Sequence, residues 1–325
     1  MIREALVLRH GQAHDTSESG DFGRELTDTG KRNAQRTGVW LARAGLLPSY
    51  ILSSSATRAK RTAEKCIKTA GLRGDTVHLD RRIYNASIED LLLVLGEVPD
   101  DVNRLLVVGH NPGLSELIAW LAREPGPPND PFYALRPGSL VRLGLSQPFS
   151  ALGRSCADVL ERIHASTLPE SFPFPGLDGT EKRARPAYYY QQSSVVPFRY
   201  QDGRLEVLIV GSSKRKHWVI PKGIHDPGLS AQESAAKEAM EEAGVVGEVY
   251  TEPTGQYSYP KWDATCQVVV YPMRVTGILA ESEWPERHRG RRWVSVTEAA
   301  DTVRNDDVKR LILDLPDALA RTPGN

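Results

Sequence analysis

The stretch 168–186 constrains this chain most. It contains Pro169, Pro173, Pro175, Gly176, Gly179 and Pro186. Proline fixes φ and lacks an amide donor, and glycine wanders over both halves of φ space. A helix or a sheet core therefore does not run through such a segment. The chain divides there into two bodies, with domains expected at 1–165 and 188–325 and a linker at 166–187. A length of 325 residues suits two domains of roughly 100–200 residues each.

The first body alternates two kinds of segment. Apolar runs at 5–9, 50–52 and 105–108 read as strands, and residues 31–45, 57–70, 88–95 and 114–121 repeat their apolar positions at helical spacing. The run 105–108 is apolar throughout, which suits a parallel strand buried on both faces. Residues 139–145 alternate like an edge strand. This order predicts an α/β domain with a mostly parallel sheet. Residues 157–164 read as a last helix of the domain or a bridging helix.

In the second body, 194–200 and 204–210 flank Gln201-Asp202-Gly203, a hairpin signal. Residues 218–220, 266–275 and 292–296 read as strands. A helix is expected over 230–243 with Ser230 as N-cap, and another over 303–315.

Lys plus Arg equals Asp plus Glu at 41 each, which excludes a globally basic nucleic-acid binder. The longest apolar runs fall far short of the roughly 20 residues that a membrane helix needs. Cys66, Cys156 and Cys266 are too few and too scattered for a disulfide framework or a metal knot. These features predict a soluble cytoplasmic protein with neither nucleic acid nor membrane as partner.

Arg9-His10-Gly11 follows the first strand, Arg58 follows the second, and His110 directly follows the third. In an open parallel sheet the carboxyl ends of the strands are where ligands bind. A histidine there can attack phosphorus through a ring nitrogen. Guanidinium groups match phosphoryl oxygens in pairs.

The set Arg9-His10-Gly11, Leu26-Thr27-Asp28-Thr29-Gly30, Ser53-Ser54-Ser55-Ala56-Thr57-Arg58-Ala59 with Thr62, and Gly109-His110-Asn111-Pro112-Gly113 resembles the histidine phosphatase superfamily over about residues 3–145. The uncapped form looks most like the SixA-type phosphohistidine phosphatases. The resemblance implies a phosphoglycerate-mutase-like αβα sandwich without a metal. It makes His10 the nucleophile and Arg9, Arg58 and His110 the phosphate pocket. Gln12 and Asn111 are candidate lining residues. Glu89 is the candidate acid, and SixA-type enzymes manage without a strong one.

In the second body Glu238, Glu241 and Glu242 fall at i, i+3 and i+4, on one face of a helix. Like charges so placed repel unless a cation neutralises them, and hard divalent cations take carboxylate oxygens. The stretch 223–245 looks like a Nudix box. Gly223, Glu238, Glu241, Glu242, Gly244 and Val245 fit the pattern. Lys237 stands where the pattern has Arg, and Leu229 where it has its first Glu. Asp226 and Glu233 are the nearest replacement carboxylates. The resemblance covers about 190–320 and implies an α/β/α Nudix fold. It implies Mg²⁺ or Mn²⁺ held by the Gly223, Glu238, Glu241 and Glu242 set, with Glu241 catalytic. Lys222 is a candidate phosphate contact, as are Lys214, Arg215 and Lys216. Tyr257, Tyr259 and Trp262 are candidate base-stacking rings, and Glu281, Glu283 and Glu286 candidate general bases.

The two resemblances together imply a bifunctional phosphohydrolase. Its expected substrates are phosphorylated small molecules, namely nucleoside or dinucleoside polyphosphates or diphosphoinositol polyphosphates. The alternative is a phosphatase acting on phosphohistidine proteins, with a nucleotide-sensing, weakly catalytic Nudix module.

Overall fold

A computed structural model describes residues 3–124 and 135–321. Strand β1 (Arg3–Arg9) buries Ala5, Leu6, Val7 and Leu8, two on each face, so that the strand needs cover from both sides. The cover comes from the helices that alternate with the strands. The elements run α1 (Asp28–Arg43), β2 (Tyr50–Ser54), α2 (Thr57–Thr69), β3 (Val77–Asp80), α3 (Ile88–Gly96), β4 (Arg104–Gly109), α4 (Gly113–Leu121), β5 (Ser139–Leu145) and β6 (Ala157–His164). The sheet order is β3-β2-β4-β1-β5-β6. The first four strands are parallel and the last two antiparallel. Leu41 of α1 and Ala59, Ala63 and Ile67 of α2 pack on Leu6 and Leu8. Leu91 and Leu95 of α3 and Leu114 and Leu117 of α4 pack on Ala5 and Val7. The result is an αβα sandwich.

Residues 157–164 form a strand and not a helix. Val159 pairs with Leu143 and packs on the face that α3 and α4 cover, whereas Ile163 pairs with Leu140 and packs on the face that α1 and α2 cover, because the register slips between Arg142 and Leu143; Leu160 stays 48% exposed. Such a bulge interrupts the alternation of a strand, so the eight-residue run carries no clean period of two.

The chain divides into two units, Met1–Lys182 and Arg183–Asn325. Residues 168–182, expected as linker, carry structure within the first unit. Strands β7 (Phe172–Phe174) and β8 (Glu181–Arg183) pair with each other, Phe172 is fully buried, and Arg43 Nε donates to the Leu177 carbonyl at 2.9 Å.

The second unit runs β9 (Gln191–Gln201), β10 (Arg204–Gly211), β11 (Trp218–Val219), β12 (Lys222–Ile224), α5 (Ala231–Glu238), β13 (Val245–Val249), β14 (Gly255–Lys261), β15 (Ala264–Ile278), β16 (Arg291–Ser295), α6 (Val296–Thr302), α7 (Asp306–Leu313) and α8 (Leu315–Arg321). Its mixed sheet follows β11-β10-β9-β15-β13, with β12 on β9, β14 on β15 and β16 on β10. Helix α5 covers one face through Ala235, and α6 and α7 cover the other through Ala299, Leu311 and Ile312. This is an α/β/α arrangement. The helix expected over 303–315 is shorter, running as α7 over Asp306–Leu313, because Val303 is extended and Asn305 caps the helix by accepting from the Val308 amide.

Glu4 shows how β1 is pinned. It is 8% exposed and is held by Arg104 Nε at 2.6 Å and by Arg142. Burial pushes its carboxyl pKa up, and hydrogen bonds from Arg142 and Arg104 more than reverse that, leaving it below the ordinary 4.5. A group whose pKa falls on folding adds stability above its unfolded pKa and loses it as pH falls through the folded one. Glu4→Gln is therefore expected to cost about 1–3 kcal/mol in urea unfolding at neutral pH. The gap from the native chain should narrow as pH drops below 4.5; a gap independent of pH would contradict this account.

Candidate active sites

In the first unit, the carboxyl ends of β1, β2 and β4 bring His10, Arg58 and His110 together. The loop after β1 can lie on the start of α1 because Gly30 has no side chain; a Cβ there would meet the Gln12 carbonyl oxygen at 2.1 Å. Thr27 closes the same junction, since its amide donates to the Gln12 carbonyl and its hydroxyl accepts from the Gly30 amide. Thr62 ties α2 to the loop after β1 by accepting from the Gly11 amide at 2.9 Å.

His10 is 7% exposed and His110 6%, with ring centroids 5.0 Å apart. His10 Nδ1 lies 2.7 Å from the Gly11 carbonyl, which can only accept, so Nδ1 carries the proton and Nε2 keeps its lone pair. Arg58 Nε donates to that Nε2 at 3.3 Å. Burial, with Arg58 and Arg9 nearby, lowers the His10 pKa to about 4. Burial, then His10 and Arg58, lowers that of His110 to about 3. Both rings are neutral at pH 7. His110 Nε2 pairs with Ser54 Oγ at 2.9 Å, while His110 Nδ1 and Arg9 Nε are buried without a hydrogen-bond partner among the described residues. Unpaired buried polar atoms are costly, and a bound oxyanion is the kind of group that satisfies Nδ1–H or Nε–H donors.

The other expected residues are placed less centrally. Asn111 donates to the Leu135 carbonyl beside Arg9. Gln12 is exposed and its polar contacts run through its backbone carbonyl. Glu89 is exposed on α3. The carboxylate at the pocket is Asp21, which the sequence reading missed. Asp21 accepts from Tyr84 OH at 2.6 Å, Arg24 Nη1 at 2.8 Å and Arg58 Nη2 at 2.9 Å, and its carbonyl accepts from Arg58 Nη1 at 2.6 Å. Those bonds, from Tyr84 first, hold its pKa well below the ordinary carboxylate range.

In the second unit, Ser230 and Glu233 form a reciprocal capping box that starts α5. Glu233 is thus engaged, and it does not replace the missing carboxylate. Asp226 pairs with Lys237 Nζ at 2.6 Å. The loop acid and the box cation, flanking the two departures at Leu229 and Lys237, therefore satisfy each other.

After Glu238 the helix widens into a π-turn, Ala239–Ala243. Glu238 lies so close to the backbone of β12 that a Cβ on Gly223 would meet its Oε1 at 1.9 Å. Burial, then Glu242 and Glu241, raises the Glu238 pKa to about 8. Glu242 is 7% exposed, accepts from the Lys222 amide at 3.1 Å and pairs with Arg289 Nη2 at 2.6 Å. Burial raises its pKa, opposed by Arg289. Arg289 also pairs with Glu286, whereas Glu281 and Glu283 are exposed. Glu241 carries no hydrogen bond or ion pair on its carboxylate among the described residues. The mutual repulsion at Glu238 fits a hard divalent cation in its chemistry. Preassembly is lacking: among the described residues no group of three or more His, Cys, Asp or Glu side chains stands at ligating spacing.

Lys222 Nζ donates to Tyr259 OH at 3.2 Å, and burial lowers its pKa. Beside it lies a cavity of about 200 Å³ lined by Trp218, Lys222, Tyr257, Tyr259, Arg304 and Asn305. Trp262 lies elsewhere, packed on Tyr189 and Tyr190. Lys214, Arg215 and Lys216 are exposed. No helix among the described residues is long and apolar enough to cross a membrane.

A model of the NUDIX domain family matches residues 190–314, and one of the histidine phosphatase superfamily (branch 1) matches residues 5–90, which leaves His110 outside the matched span. The mitochondrial Nudix hydrolase 16 of Arabidopsis thaliana is 30% identical over 138 residues, covering 37% of this chain and 75% of its own length. The asymmetrical bis(5'-nucleosyl)-tetraphosphatase of Sus scrofa is 28% identical over 109 residues, covering 33% of this chain and 74% of its own. A structure of the protein histidine phosphatase SixA complexed with tungstate aligns with a TM-score of 0.43 at 18% identity, covering 50% of this chain and 98% of its own. The chain spans only about three-fifths of the length of the curated relatives that match it at 33–35% identity. With a relative of 30% identity matched over three-quarters of its length, and with the glutamates of the box on one folded turn, the chain belongs to the Nudix hydrolase family, carrying a histidine phosphatase superfamily segment on its N-terminal side.

Proposed function

We propose that the chain is a bifunctional phosphohydrolase. In the first unit, His10 Nε2 attacks phosphorus, the bond from phosphorus to its leaving group breaks, and water then hydrolyses the phosphohistidine to release phosphate. Arg9 and Arg58 hold the phosphoryl oxygens, and His110 supplies a further contact through its unpartnered Nδ1. The reading is carried by one observation: a buried neutral histidine holds its Nε2 lone pair against Arg58 Nε, in a pocket where Arg9 Nε and His110 Nδ1 have no hydrogen-bond partner among the described residues.

In the second unit, Glu238, Glu241 and Glu242 would hold a divalent cation, with Gly223 leaving room for the Glu238 carboxylate. That cation, when bound, polarises the pyrophosphate and lowers the pKa of water. Arg289 orients Glu242 and opposes the rise that burial imposes on its pKa, and Lys222 lines the aromatic cavity. The cavity's rings and cations support a nucleoside or dinucleoside polyphosphate, the class named in the matched tetraphosphatase. Gly223→Ala is expected to push the Glu238 carboxylate aside and to lower cleavage by about 10-fold or more, since a misplacement of about 1 Å costs up to 10²-fold. Kinetics at saturating Mg²⁺, beside an unchanged melting curve, would check this.

A second reading of the first unit, a protein phosphohistidine phosphatase, is favoured by the acids. Glu89 is exposed on α3, and Asp21 is held ionised, so Asp21 offers no proton to an alkoxide leaving group. A phosphate-release screen of the full chain tests both readings. It would use nucleoside, dinucleoside and diphosphoinositol polyphosphates and a phosphorylated histidine-containing protein. Release from none of them would end the proposal. Tight nucleotide binding by calorimetry without turnover would instead make the Nudix unit a sensor.

A further inference from the structure

We propose that Asp21 selects for phosphohistidine-type leaving groups, by accepting a hydrogen bond from the distal ring N–H of the departing imidazole. The inference rests on the reading of His10 as a phosphatase nucleophile and adds a specificity-determining residue to it.

Position is the first argument. The Asp21 side chain is 48% exposed, whereas His10 and His110 are buried. A leaving group departs toward solvent, and Asp21 is the solvent-exposed carboxylate of the set hydrogen-bonded to His10 through Arg58. A single guanidinium connects the two. Arg58 Nε reaches His10 Nε2, and its Nη atoms reach the carboxylate and the carbonyl of Asp21. A phosphoryl group seated against His10 competes for those donors. Asp21 then retains Tyr84 and Arg24 as partners, and acceptor capacity is freed on its carboxylate.

Chemistry is the second argument. A phosphoimidazole protonated on its distal nitrogen can leave as neutral imidazole. The bond from His10 Nε2 to phosphorus forms, the bond from phosphorus to the leaving nitrogen breaks, and its electron pair stays on that nitrogen. The distal nitrogen keeps its proton, so no proton has to be delivered. A carboxylate facing that N–H favours the protonated, reactive ring. A phosphate monoester leaves as an alkoxide and needs a proton, which an ionised Asp21 does not carry.

The test compares N-phosphoimidazole with p-nitrophenyl phosphate on the full chain. A charge-assisted hydrogen bond is worth roughly 10–100-fold in rate. The ratio of kcat/KM values, phosphoimidazole over p-nitrophenyl phosphate, should fall by about that factor in Asp21→Asn and in Asp21→Ser, and should recover in Asp21→Glu. The two neutral variants guard against one that fails to fold. An unchanged ratio, or an equal loss on both probes, makes Asp21 a structural tie and overturns the inference while leaving the phosphatase reading standing. A native chain that hydrolyses neither probe overturns both.

Discussion

His10→Ala is expected to abolish turnover at the first site, with kcat for p-nitrophenyl phosphate falling by at least about 10³-fold. The second ring of the pocket, His110, is held in place by Ser54 Oγ at its Nε2 and by the Tyr84 ring packed edge-on against it with centroids 5.4 Å apart. The variant should also fail to trap acid-labile phosphate on the protein, whereas the native chain should form a phosphohistidine that base stabilises. Retention of more than a tenth of the native rate, with the fold intact by circular dichroism, would remove His10 from the mechanism. The loss should be confined to phosphate release, since pyrophosphate cleavage is assigned to residues of the other unit.

Glu241→Gln is expected to be nearly as damaging at the second site, lowering cleavage of a dinucleoside polyphosphate by about 10²–10⁴-fold. Glu242 is committed to Arg289 and to the Lys222 amide, and Glu238 is pressed against β12. Glu241 is the member of the set whose carboxylate is free of such ties among the described residues. Gln keeps its size and removes only the charge. Initial rates across a Mg²⁺ titration check the expectation, because loss of a ligand should also raise the Mg²⁺ concentration needed for half-maximal rate. A variant of native rate and native Mg²⁺ dependence would move the chemistry to Glu238 or Glu286.

The parts legible in the sequence were those encoded locally. Apolar runs located β1, β2 and β4, and the residues just after them located His10, Arg58 and His110. Ser230 announced the start of α5 because its capping partner, Glu233, lies three residues on. The illegible parts depended on distance. Asp21 sits in a stretch without apolar periodicity and meets Arg58 across 37 positions of chain. Arg289 reaches Glu242 from 47 positions away. Neither contact leaves a mark on its own neighbourhood. The π-turn at Ala239–Ala243 was hidden for another reason, since its spacing differs from the α-helix by less than one residue per turn. The last strand of the first sheet was hidden by a bulge, which sets Val159 and Ile163 on opposite faces and breaks the alternation that marks a strand.

The Arg289 contact also bears on how portable the motif is. The Nudix box is contiguous on paper, yet Glu242 within it is neutralised by a guanidinium from outside, and the Glu241 carbonyl is bound by Trp284 Nε1 and the Glu286 amide. Transplanted alone into another scaffold, residues 223–245 would bring a buried carboxylate without its counter-charge, which is among the costliest defects a fold can carry. The box is one jaw of a clasp whose other jaw is the segment 284–289, and a graft would have to carry both.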